Sequence, residues 1–266
     1  MNLGIIGFGT VGGTLGKWFS DNTSHEVRIY DPLKGHKDFL DDCEAIFISV
    51  PVPANESGQD LTILKESVAL AKQYTQNVFV RSTVLPKTND ELGTISMPEF
   101  LTERRAYSDM TKYPILTGTC DPELLERIFP NKQIIMMSNT EAELAKYTHN
   151  CFGAMKVTYF NIINQLCEDF NIDYDKVLRG AMITGFIEPQ HTKIAQDGKL
   201  GYGGKCFVEN INSFQAMFKG MIEDFNGELD FFTCIKHIND YYRNPEKYGK
   251  YETGAALNSY HYEAAN

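Results

Sequence analysis

Asn2-Leu3-Gly4-Ile5-Ile6-Gly7-Phe8-Gly9-Thr10-Val11-Gly12 is the stretch that decides the fold of this chain. Its first five residues have the composition of a short buried strand, and apolar residues at helical spacing run from Val11 to Phe19. A strand, a GxGxxG motif and a helix in this order are typical of a dinucleotide-binding unit. Gly7 makes the tight turn, Gly9 admits a pyrophosphate, and Gly12 lets the helix pack against the strand. We therefore expect a diphosphate at this helix N-terminus, bound by Gly7, Gly9, Thr10, Val11 and Gly12.

The second predicted strand ends in a carboxylate that bears on the choice of dinucleotide. Glu26-Val27-Arg28-Ile29-Tyr30-Asp31 places Asp31 where an acid accepts hydrogen bonds from the adenosine ribose hydroxyls. The same carboxylate repels a 2′-phosphate, so the sequence predicts NAD rather than NADP. Arg28 lies inside the strand and is poorly placed to bind that phosphate. Lys34 is a nearby cation, so binding of NADP remains an alternative. Without the upstream glycines, Asp31 would be interpreted as a turn residue before a proline.

Strand and helix patterns alternate through the first half of the chain. Further strands are predicted at Ala45–Val50, Asn77–Ser82, Gly93–Met97 and Tyr113–Thr117, and helices at Leu61–Tyr74 and Pro122–Phe129. This alternation predicts an α/β fold with a doubly wound, mostly parallel sheet of the Rossmann type. Ligands bind such sheets beyond the carboxyl ends of the strands. Those ends carry Val50-Pro51-Val52-Pro53, Ser82-Thr83-Val84 and Pro98-Glu99-Phe100-Leu101.

The second half of the chain is predicted to be all helical. Its first helix runs from Thr140 to about Phe170 and spans about 45 Å. Lys146 and Asn150 lie four residues apart on that helix and project from one face, either as site residues or as a solvated pair. Shorter helices are predicted at Tyr174–Ile183, Val208–Phe225 and Leu229–Tyr242. The predicted domains are a dinucleotide-binding domain over 1–138, a helical domain over 139–243 and a polar tail over 244–266.

The long helix also predicts a homodimer formed through the helical domain. Its apolar residues exceed what one small domain can cover: Phe152, Val157, Phe160, Ile162, Ile163 and Leu166. A helix of this length is longer than most globular helices and suits a dimer spine or a bridge between domains.

Composition narrows the class of protein. The 266 residues carry a formal net charge of −10, which argues against sequence-independent nucleic-acid binding. No apolar run is long enough to span a bilayer, and no secretory signal is evident at the N-terminus. The six cysteines show no zinc spacing, so we expect reduced thiols, no metal and a cytoplasmic location.

One cysteine lies in a glycine-rich turn, Gly201-Tyr202-Gly203-Gly204-Lys205-Cys206-Phe207. The glycines allow positive φ angles and a close approach of a ligand to the backbone. Lys205 places positive charge beside the sulfur, which favours the nucleophilic thiolate. The alternative is an ordinary loop in which the cysteine is a small buried hydrophobe.

Taken in order, these motifs resemble the UDP-glucose/GDP-mannose dehydrogenase family over residues 1 to about 243. The resemblance rests on the GxGxxG motif, Val50-Pro51-Val52-Pro53, Ser82-Thr83-Val84, Pro98-Glu99-Phe100-Leu101, Glu143-Leu144-Ala145-Lys146 with Asn150, and Gly203-Gly204-Lys205-Cys206-Phe207. It implies oxidation of the C6 alcohol of a nucleotide sugar, such as UDP-glucose, to the acid with two molecules of NAD.

The resemblance also implies roles for individual residues. Cys206 would attack the aldehyde intermediate, giving a thiohemiacetal and then a thioester. Lys146 and Asn150 would stabilise oxyanion character, and Glu99 would activate water with help from Thr83. Glu103 would line the cofactor site if the loop after Glu99 is helical. The substrate would be bound by Glu99, Phe100, Leu101, Lys146, Asn150, Tyr202 and Gly203.

Two features depart from the family pattern. Family members follow the Cys-Phe pair with Pro-Lys-Asp, whereas this chain has Val208-Glu209-Asn210. Asn210 occupies the position of an aspartate that helps to activate water, and an amide cannot serve as a general base. Family members also carry a third domain that contacts the nucleotide, to which this sequence does not extend.

Two other functions fit parts of the sequence. A two-domain β-hydroxyacid dehydrogenase also combines a dinucleotide fold with a helical domain and uses a Lys and an Asn four residues apart, but needs no cysteine. A catalytically silent protein that has kept the NAD fold would explain Asn210 and the missing domain. Turnover by a Cys206→Ser variant favours the first alternative, and NAD binding without turnover favours the second.

Overall fold

The computed structural model describes residues 1–55, 58–221 and 231–247. These form two compact units. The first unit consists of Met1–His149 with Asn212–Met217, and the described part of the second consists of 150–211, 218–221 and 231–247. The domain boundary predicted between residues 138 and 139 coincides with the start of the long helix Asn139–Asp169. The two units are instead divided within helices, first after His149.

The first unit is built on a six-stranded sheet with the order β3-β2-β1-β4-β7-β8. Every neighbouring pair is parallel except β2 with β3. The strand order reverses between β1 and β4, which is where open α/β sheets bind their ligands. The strands are β1 (Asn2–Ile6), β2 (Glu26–Asp31), β3 (His36–Lys37), β4 (Ala45–Ile48), β7 (Val78–Val80) and β8 (Ile95–Ser96).

Two smaller strand pairs and five helices complete the first unit. An antiparallel hairpin joins β5 (Ala54–Asn55) to β6 (Gly58–Gln59), and a parallel pair joins β9 (Ile115–Gly118) to β10 (Ile134–Met137). The predicted strand at Tyr113–Thr117 is therefore present as β9, but it lies outside the six-stranded sheet. The helices are α1 (Thr10–Asn22), α2 (Thr62–Ala71), α3 (Thr88–Leu92), α4 (Ala106–Lys112) and α5 (Pro122–Ile128).

Alternation along the central strands explains why both faces of the sheet are covered. Ile5 and Phe47 belong to one buried cluster, and Ile6 and Ile48 belong to a second. Because successive side chains of a strand point to opposite faces, each strand supplies both clusters. Apolar side chains of α1 and α5 join the first cluster, and those of α2 join the second. The predicted α/β class with a parallel sheet is confirmed, and its continuous apolar strands follow from burial on both faces.

The glycine motif sits where a side chain would not fit. Gly7 has φ +88°, and a Cβ atom there would lie 2.7 Å from the carbonyl oxygen of Ser49 on the neighbouring strand segment. A Cβ atom on Gly12 would lie 2.0 Å from the carbonyl oxygen of Gly7. The turn therefore closes on the first helix because both positions lack a side chain.

The regular elements in the described part of the second unit are helices, and residues 182–204 between them form turns and loops. The long helix α6 (Asn139–Asp169) is divided between the two units after His149. It is followed by α7 (Tyr174–Ala181), α8 (Lys205–Met221), of which 212–217 belong to the first unit, and α9 (Phe231–Arg243). No strand occurs among the described residues of this unit.

The difference in helix bounds that bears on the site is at α8. This helix begins at Lys205 rather than Val208, so Cys206 lies in its first turn rather than in the loop before it. The reason is that Gly204, at φ +74°, completes the preceding turn and frees the next residues to start the helix. The end predicted at Phe225, the start at Leu229 and most of the polar tail lie outside the described residues. Pro245–Lys247 form a short 3₁₀ helix.

None of the helices in the described ranges is both long enough and apolar enough to cross a bilayer.

Substituting alanine for two adjacent glycines of α1 tests the steric account of the turn. Gly12→Ala should cost roughly 1–3 kcal/mol, because its Cβ atom meets the Gly7 backbone, and should weaken dinucleotide binding. Gly13 has nothing within 4 Å of an added Cβ atom, so Gly13→Ala should stabilise the helix by up to about 1 kcal/mol. Thermal unfolding with and without NAD measures both effects. Equal melting temperatures for the two variants would contradict this account.

Candidate active site

The loop after β7 carries Thr83 and is anchored by a side chain from the small hairpin. The Gln59 amide donates to the Thr83 carbonyl oxygen at 3.0 Å and to the Tyr147 hydroxyl at 3.0 Å. Its own oxygen accepts a hydrogen bond from the Leu85 backbone N–H at 2.9 Å. Gln59 thus fixes the backbone on both sides of Val84. Sequence reasoning missed it, because a glutamine in a short hairpin has no distinctive signal.

The far end of the same loop is held by a buried carboxylate on α6. Glu143 is 2% exposed and accepts from the Lys87 N–H at 2.7 Å, the Asn89 N–H at 2.8 Å and the Asn89 side-chain amide at 2.7 Å. Burial raises the pKa of Glu143, while the three hydrogen bonds act in the opposite direction. The sequence suggested Glu143 only as part of a motif and as an acid in the first turn of the helix. In the structure it fixes the start of α3.

Lys146 and Glu99 form a buried ion pair in the first unit. Their side chains are 5% and 9% exposed, and Lys146 Nζ lies 3.2 Å from Glu99 Oε1. Nζ also donates to the Glu99 carbonyl oxygen and lies 5.1 Å from the centroid of the Phe100 ring. The second carboxylate oxygen of Glu99 accepts from the Leu101 N–H at 2.6 Å. Four predicted site residues are therefore brought together, with both Glu99 oxygens in hydrogen bonds.

A second cation lies close to Glu99 and was missed from the sequence. Arg81 is 3% exposed and lines a small pocket together with Glu99 and Asp109. Burial lowers the pKa of Arg81 to about 10, and the negative charge of Glu99 opposes that shift, so the guanidinium stays protonated at neutral pH. Its Nε atom has no hydrogen-bond partner among the described residues. Arg81 directly precedes the Ser82-Thr83-Val84 motif, which is the one sequence signal that could have pointed to it.

The expected cofactor site has free backbone donors at its centre. Gly9 is the N-cap residue of α1 and supplies no side chain to the first N–H groups of the helix. Such groups fit a diphosphate. Asp31 Oδ2 accepts from the Phe8 N–H at 2.8 Å, and Lys34 Nζ donates to the Phe8 carbonyl oxygen at 2.9 Å. The residues present fit a dinucleotide. The glycine turn is contacted both by Asp31, expected at the ribose hydroxyls, and by Lys34, which left NADP as an alternative.

Two other cofactor predictions have different outcomes. The Arg28 guanidinium lies 3.1 Å from Glu26 and 3.4 Å from Asp42, so it is engaged by carboxylates. The loop after Glu99 is not helical, because the first helical residues, in a short 3₁₀ turn, are Glu103–Arg105. The condition under which Glu103 was expected to line the cofactor site, a helical loop after Glu99, is therefore not met. Glu103 is exposed, and its role at the cofactor remains a prediction.

Cys206 differs from the buried cysteines of this chain. It is exposed, and it occupies the second residue of α8, where the N–H groups of the helix stabilise a thiolate. Burial raises the pKa of Cys43 and Cys120 to about 11 and that of Cys151 to about 12. Those three thiols remain protonated at neutral pH and are poor nucleophiles. Within the described ranges, no cluster of His, Cys, Asp and Glu side chains could hold a metal ion.

A pair of buried amides lies one helical turn beyond Cys206. Asn150 and Asn210 are each 4% exposed, and the Asn150 side-chain N–H donates to Asn210 Oδ1 at 2.5 Å. Because Asn210 is four residues after Cys206, both project from the same face of α8. An aspartate at position 210 could accept the same hydrogen bond. The departure from the family pattern therefore preserves this contact while removing the carboxylate.

Phe207 fits against a glycine of α6. A Cβ atom on Gly153 would lie 2.7 Å from Phe207 Cζ, so the ring occupies the space of the missing side chain. The His191 ring lies 5.3 Å from the Phe207 ring, edge to face. Burial and the nearby Lys156 lower the pKa of His191, so it is neutral at pH 7. These contacts fix the residue next to Cys206.

The predicted site residues fall into one group in each unit. Thr83, Glu99, Phe100, Leu101 and Lys146 belong to the first, and Asn150, Tyr202, Gly203, Cys206 and Asn210 belong to the second. The side chain of Tyr202 is only 4% exposed, and burial strongly raises the pKa of its phenol. A role for Tyr202 in substrate binding therefore rests on its backbone.

Replacing Glu143 by glutamine tests the anchoring of the Thr83 loop. An amide has only one acceptor atom, so at least one of the three donors would face an N–H group. Glu143→Gln should therefore cost about 1–3 kcal/mol, a drop of several degrees in melting temperature. The matched control is Glu66→Gln on the exposed face of α2, which should leave the melting temperature unchanged. Equal melting temperatures for both variants would contradict the assigned role of Glu143.

Comparison with known proteins agrees with the motifs. Residues 140–241 match the model of the UDP-glucose/GDP-mannose dehydrogenase family, central domain. The chain is 29% identical over 210 residues to the UDP-glucose 6-dehydrogenase YwqF of Bacillus subtilis, covering 70% of this chain and 47% of that protein. It is 26% identical over 230 residues to the UDP-glucose 6-dehydrogenase of Rickettsia bellii, covering 77% and 51%. The chain thus spans about half the length of these relatives.

Solved structures share the fold. A UDP-glucose dehydrogenase from Pyrobaculum islandicum superposes with a TM-score of 0.72 at 22% identity, covering 90% of this chain and 68% of the other. The 3-hydroxyisobutyrate dehydrogenase of Mycobacterium tuberculosis superposes with a TM-score of 0.62 at 16% identity, covering 91% and 92%. At these identities the likeness concerns the fold alone. The ordered motifs agree with the match of residues 140–241 to the central-domain model of the UDP-glucose/GDP-mannose dehydrogenase family.

Proposed function

We propose that this chain oxidises the C6 alcohol of a nucleotide sugar to the acid with NAD, through a thioester on Cys206. The observation that carries the proposal is the placement of Cys206: it is exposed in the first turn of α8, one turn before the buried Asn150–Asn210 pair. A two-domain hydroxyacid dehydrogenase has no use for such a thiol. The match of the central domain supports the same choice.

The cofactor would be bound by the glycine turn and Asp31. Backbone N–H groups at the start of α1 would receive the diphosphate, and Asp31 would accept from the ribose hydroxyls. NAD supplies an acceptor for one hydride in each of the two oxidation steps. The carboxylate of Asp31 disfavours a 2′-phosphate, although Lys34 next to the same turn leaves some affinity for NADP.

The proposed reaction balances as two hydride transfers and one hydration. The alcohol loses a hydride and a proton to give the aldehyde. The Cys206 thiol gives up its proton and adds its sulfur to the aldehyde carbon, and protonation of the oxygen gives the thiohemiacetal. Loss of a hydride from that carbon and of the hydroxyl proton then leaves a thioester. Water then adds to the carbonyl carbon, the C–S bond breaks, and the acid and the thiol are released. The covalent thioester prevents escape of the aldehyde.

Lys146 and Asn150 would stabilise the negative charge that develops on oxygen in these steps. Lys146 lies 3.2 Å from Glu99 in a buried ion pair, and its positive charge suits this role. When Lys146 turns to the developing oxyanion, Glu99 Oε1 becomes available to orient or deprotonate water. Arg81, buried in the same small pocket, would add a second positive charge near Glu99.

Hydrolysis is the step that the chain is least equipped to perform. Asn210 lies one helical turn from Cys206 and cannot accept a proton from water. Glu99, or Glu209 in the preceding position, would have to serve instead. We therefore propose that the thioester forms readily and is released slowly.

A second candidate is a β-hydroxyacid dehydrogenase. The fold shared with the 3-hydroxyisobutyrate dehydrogenase of Mycobacterium tuberculosis over 92% of that chain favours it. This candidate gives no role to Cys206. Substitution of Cys206 separates the two.

The proposed partner is a second copy of this chain, bound through the helical domain. Phe152 and Leu166 are 62% and 38% exposed on α6, whereas Phe160, also named from the sequence, is 4% exposed and is covered by its own chain. The exposed pair supports a smaller apolar contact than the sequence predicts.

NAD reduction with a panel of nucleotide sugars tests the proposed function. NADH should form with a UDP-hexose or another nucleotide sugar, and product masses should show the acid. Cys206→Ala should abolish acid formation, because no thioester can form, while Cys151→Ala at a buried thiol is the control. The same sample, analysed by sedimentation, should be dimeric.

Three outcomes would contradict these proposals. Absence of NADH with every nucleotide sugar excludes the dehydrogenase, and NAD binding without turnover then favours the silent protein. Full activity of Cys206→Ser on a small β-hydroxyacid favours the second candidate. A monomer in solution excludes the dimer.

The Asn210→Asp variant tests the proposed defect in hydrolysis. Aspartate keeps the hydrogen bond from Asn150 and adds a base, so steady-state acid formation should rise about 10-fold or more. Mass spectrometry of the quenched wild type should detect the acyl group on Cys206, and the variant should carry less of it. Asn210→Ala should show no such gain. Equal acylation of wild type and Asn210→Asp would contradict the proposed defect in thioester hydrolysis.

A further inference from the structure

The turn that leads into Cys206 depends on two glycines with positive φ. Gly201 and Gly204 both have φ +74°, and Gly204 is followed directly by the first residue of α8. The position of the helix start is therefore set by this turn. Any contact that fixes the turn also fixes the N–H groups around the sulfur of Cys206.

Two amide side chains hold the first half of the turn. Asn161 Oδ1, on α6, accepts from the Gly201 N–H at 3.1 Å. Asn239 Oδ1, on α9, accepts from the Tyr202 N–H at 2.7 Å. Consecutive backbone donors are thus bound by different helices. A Cβ atom on Gly201 would lie 2.5 Å from Asn239 Oδ1, so the approach also requires glycine.

An ion pair occupies the side-chain position of Gly203. Arg243 donates from Nη1 to Asp197 Oδ1 at 3.1 Å and from Nη2 to Asp197 Oδ2 at 2.8 Å. A Cβ atom on Gly203 would lie 1.2 Å from Arg243 Nη2 and 2.7 Å from Asp197 Oδ2. The pair is therefore packed directly on the backbone of the turn. Its bidentate geometry makes it stronger than an ordinary surface pair.

Arg243 is partly shielded from solvent, whereas Asp197 is exposed. The side chain of Arg243 is 18% exposed and that of Asp197 is 48% exposed. The hydrogen bond from Arg243 lowers the pKa of Asp197, so the carboxylate is ionised at neutral pH. Arg243 is the last residue of α9, and Asp197 lies in the segment before the turn. The pair therefore closes this segment onto the helix.

We infer that Arg243, through its ion pair with Asp197, is a positioning residue that holds the 201–204 turn and thereby sets the reactivity of Cys206. The inference rests on the proposed nucleophilic role of Cys206. A thiol near a helix N-terminus becomes a better nucleophile only where the N–H groups of the first turn stay in place. Releasing the turn frays that end, and the thiol then titrates closer to an ordinary cysteine.

The test is the pH–rate profile of Cys206 alkylation by iodoacetamide, followed by peptide mass spectrometry. In Arg243→Ala and in Asp197→Asn the profile should move to higher pH, and the rate at pH 7 should fall about three- to tenfold. Arg243→Lys keeps the charge but cannot form the bidentate contact, so it should give an intermediate profile. Lys247→Ala, which removes the exposed pair with Asp240, should match the wild type.

The two single substitutions distinguish positioning from simple electrostatics. If Arg243 acted only through its positive charge, removing it would raise the thiol pKa and removing the Asp197 charge would lower it. Positioning predicts that both raise it. Opposite shifts, or unchanged profiles in both folded variants, would overturn the inference. If Arg243→Ala fails to fold, Arg243→Lys and Asp197→Asn decide the question.

Alkylation needs no substrate, which separates this inference from the proposed function. A wild type that reduces no NAD, with profiles that shift as expected, removes the dehydrogenase and keeps the positioning role. NADH formation with unchanged alkylation profiles keeps the dehydrogenase and removes the positioning role. Hydrogen exchange of the 201–207 amides should rise in both variants and remain unchanged in Lys247→Ala.

Discussion

Both proposed binding loops depend on glycines against whose backbone other groups pack directly. These groups occupy the space that a Cβ atom would need. Gly12 lies against the Gly7 carbonyl and closes the cofactor turn onto α1, and Gly203 lies under the Arg243–Asp197 pair and fixes the start of α8. In each case a helix N-terminus is set by a neighbouring turn. The donors that a diphosphate or a thiolate requires are therefore positioned by sterics before any ligand binds.

Buried polar groups fix the positions of the Thr83 and Glu99 loops. Burying a charge is costly unless it is paired, and the structure pairs Glu99 with Lys146 and satisfies Glu143 with three donors. A carboxylate held this way has a defined orientation. Lys146 and Glu99 are then restrained to the few arrangements that the reaction would use.

The proposed nucleophile site of the second unit combines an exposed thiol with a buried pair of amides. Cys206 and Asn210 lie one turn apart on α8, and the amide at position 210 retains the hydrogen bond that an aspartate would make. At position 210 the hydrogen bond to Asn150 is therefore separable from the ability to accept a proton. The proposed slow release of the thioester follows from that separation.

The sequence by itself determined the α/β class, the glycine turn, most strand and helix positions and the identity of the residues to consider. Periodicity and glycine spacing are local signals, and they predict local structure well. Only the tertiary structure decided that Gln59 and Glu143 anchor the Thr83 loop and that Arg81 lines a pocket with Glu99. It also decided that β9 lies outside the main sheet and that α8 starts at Lys205. The partners of Gln59 and Arg243 are 24 and 46 residues away. No local pattern encodes such pairings, because they arise only when the packed chain brings distant polar groups within hydrogen-bond range.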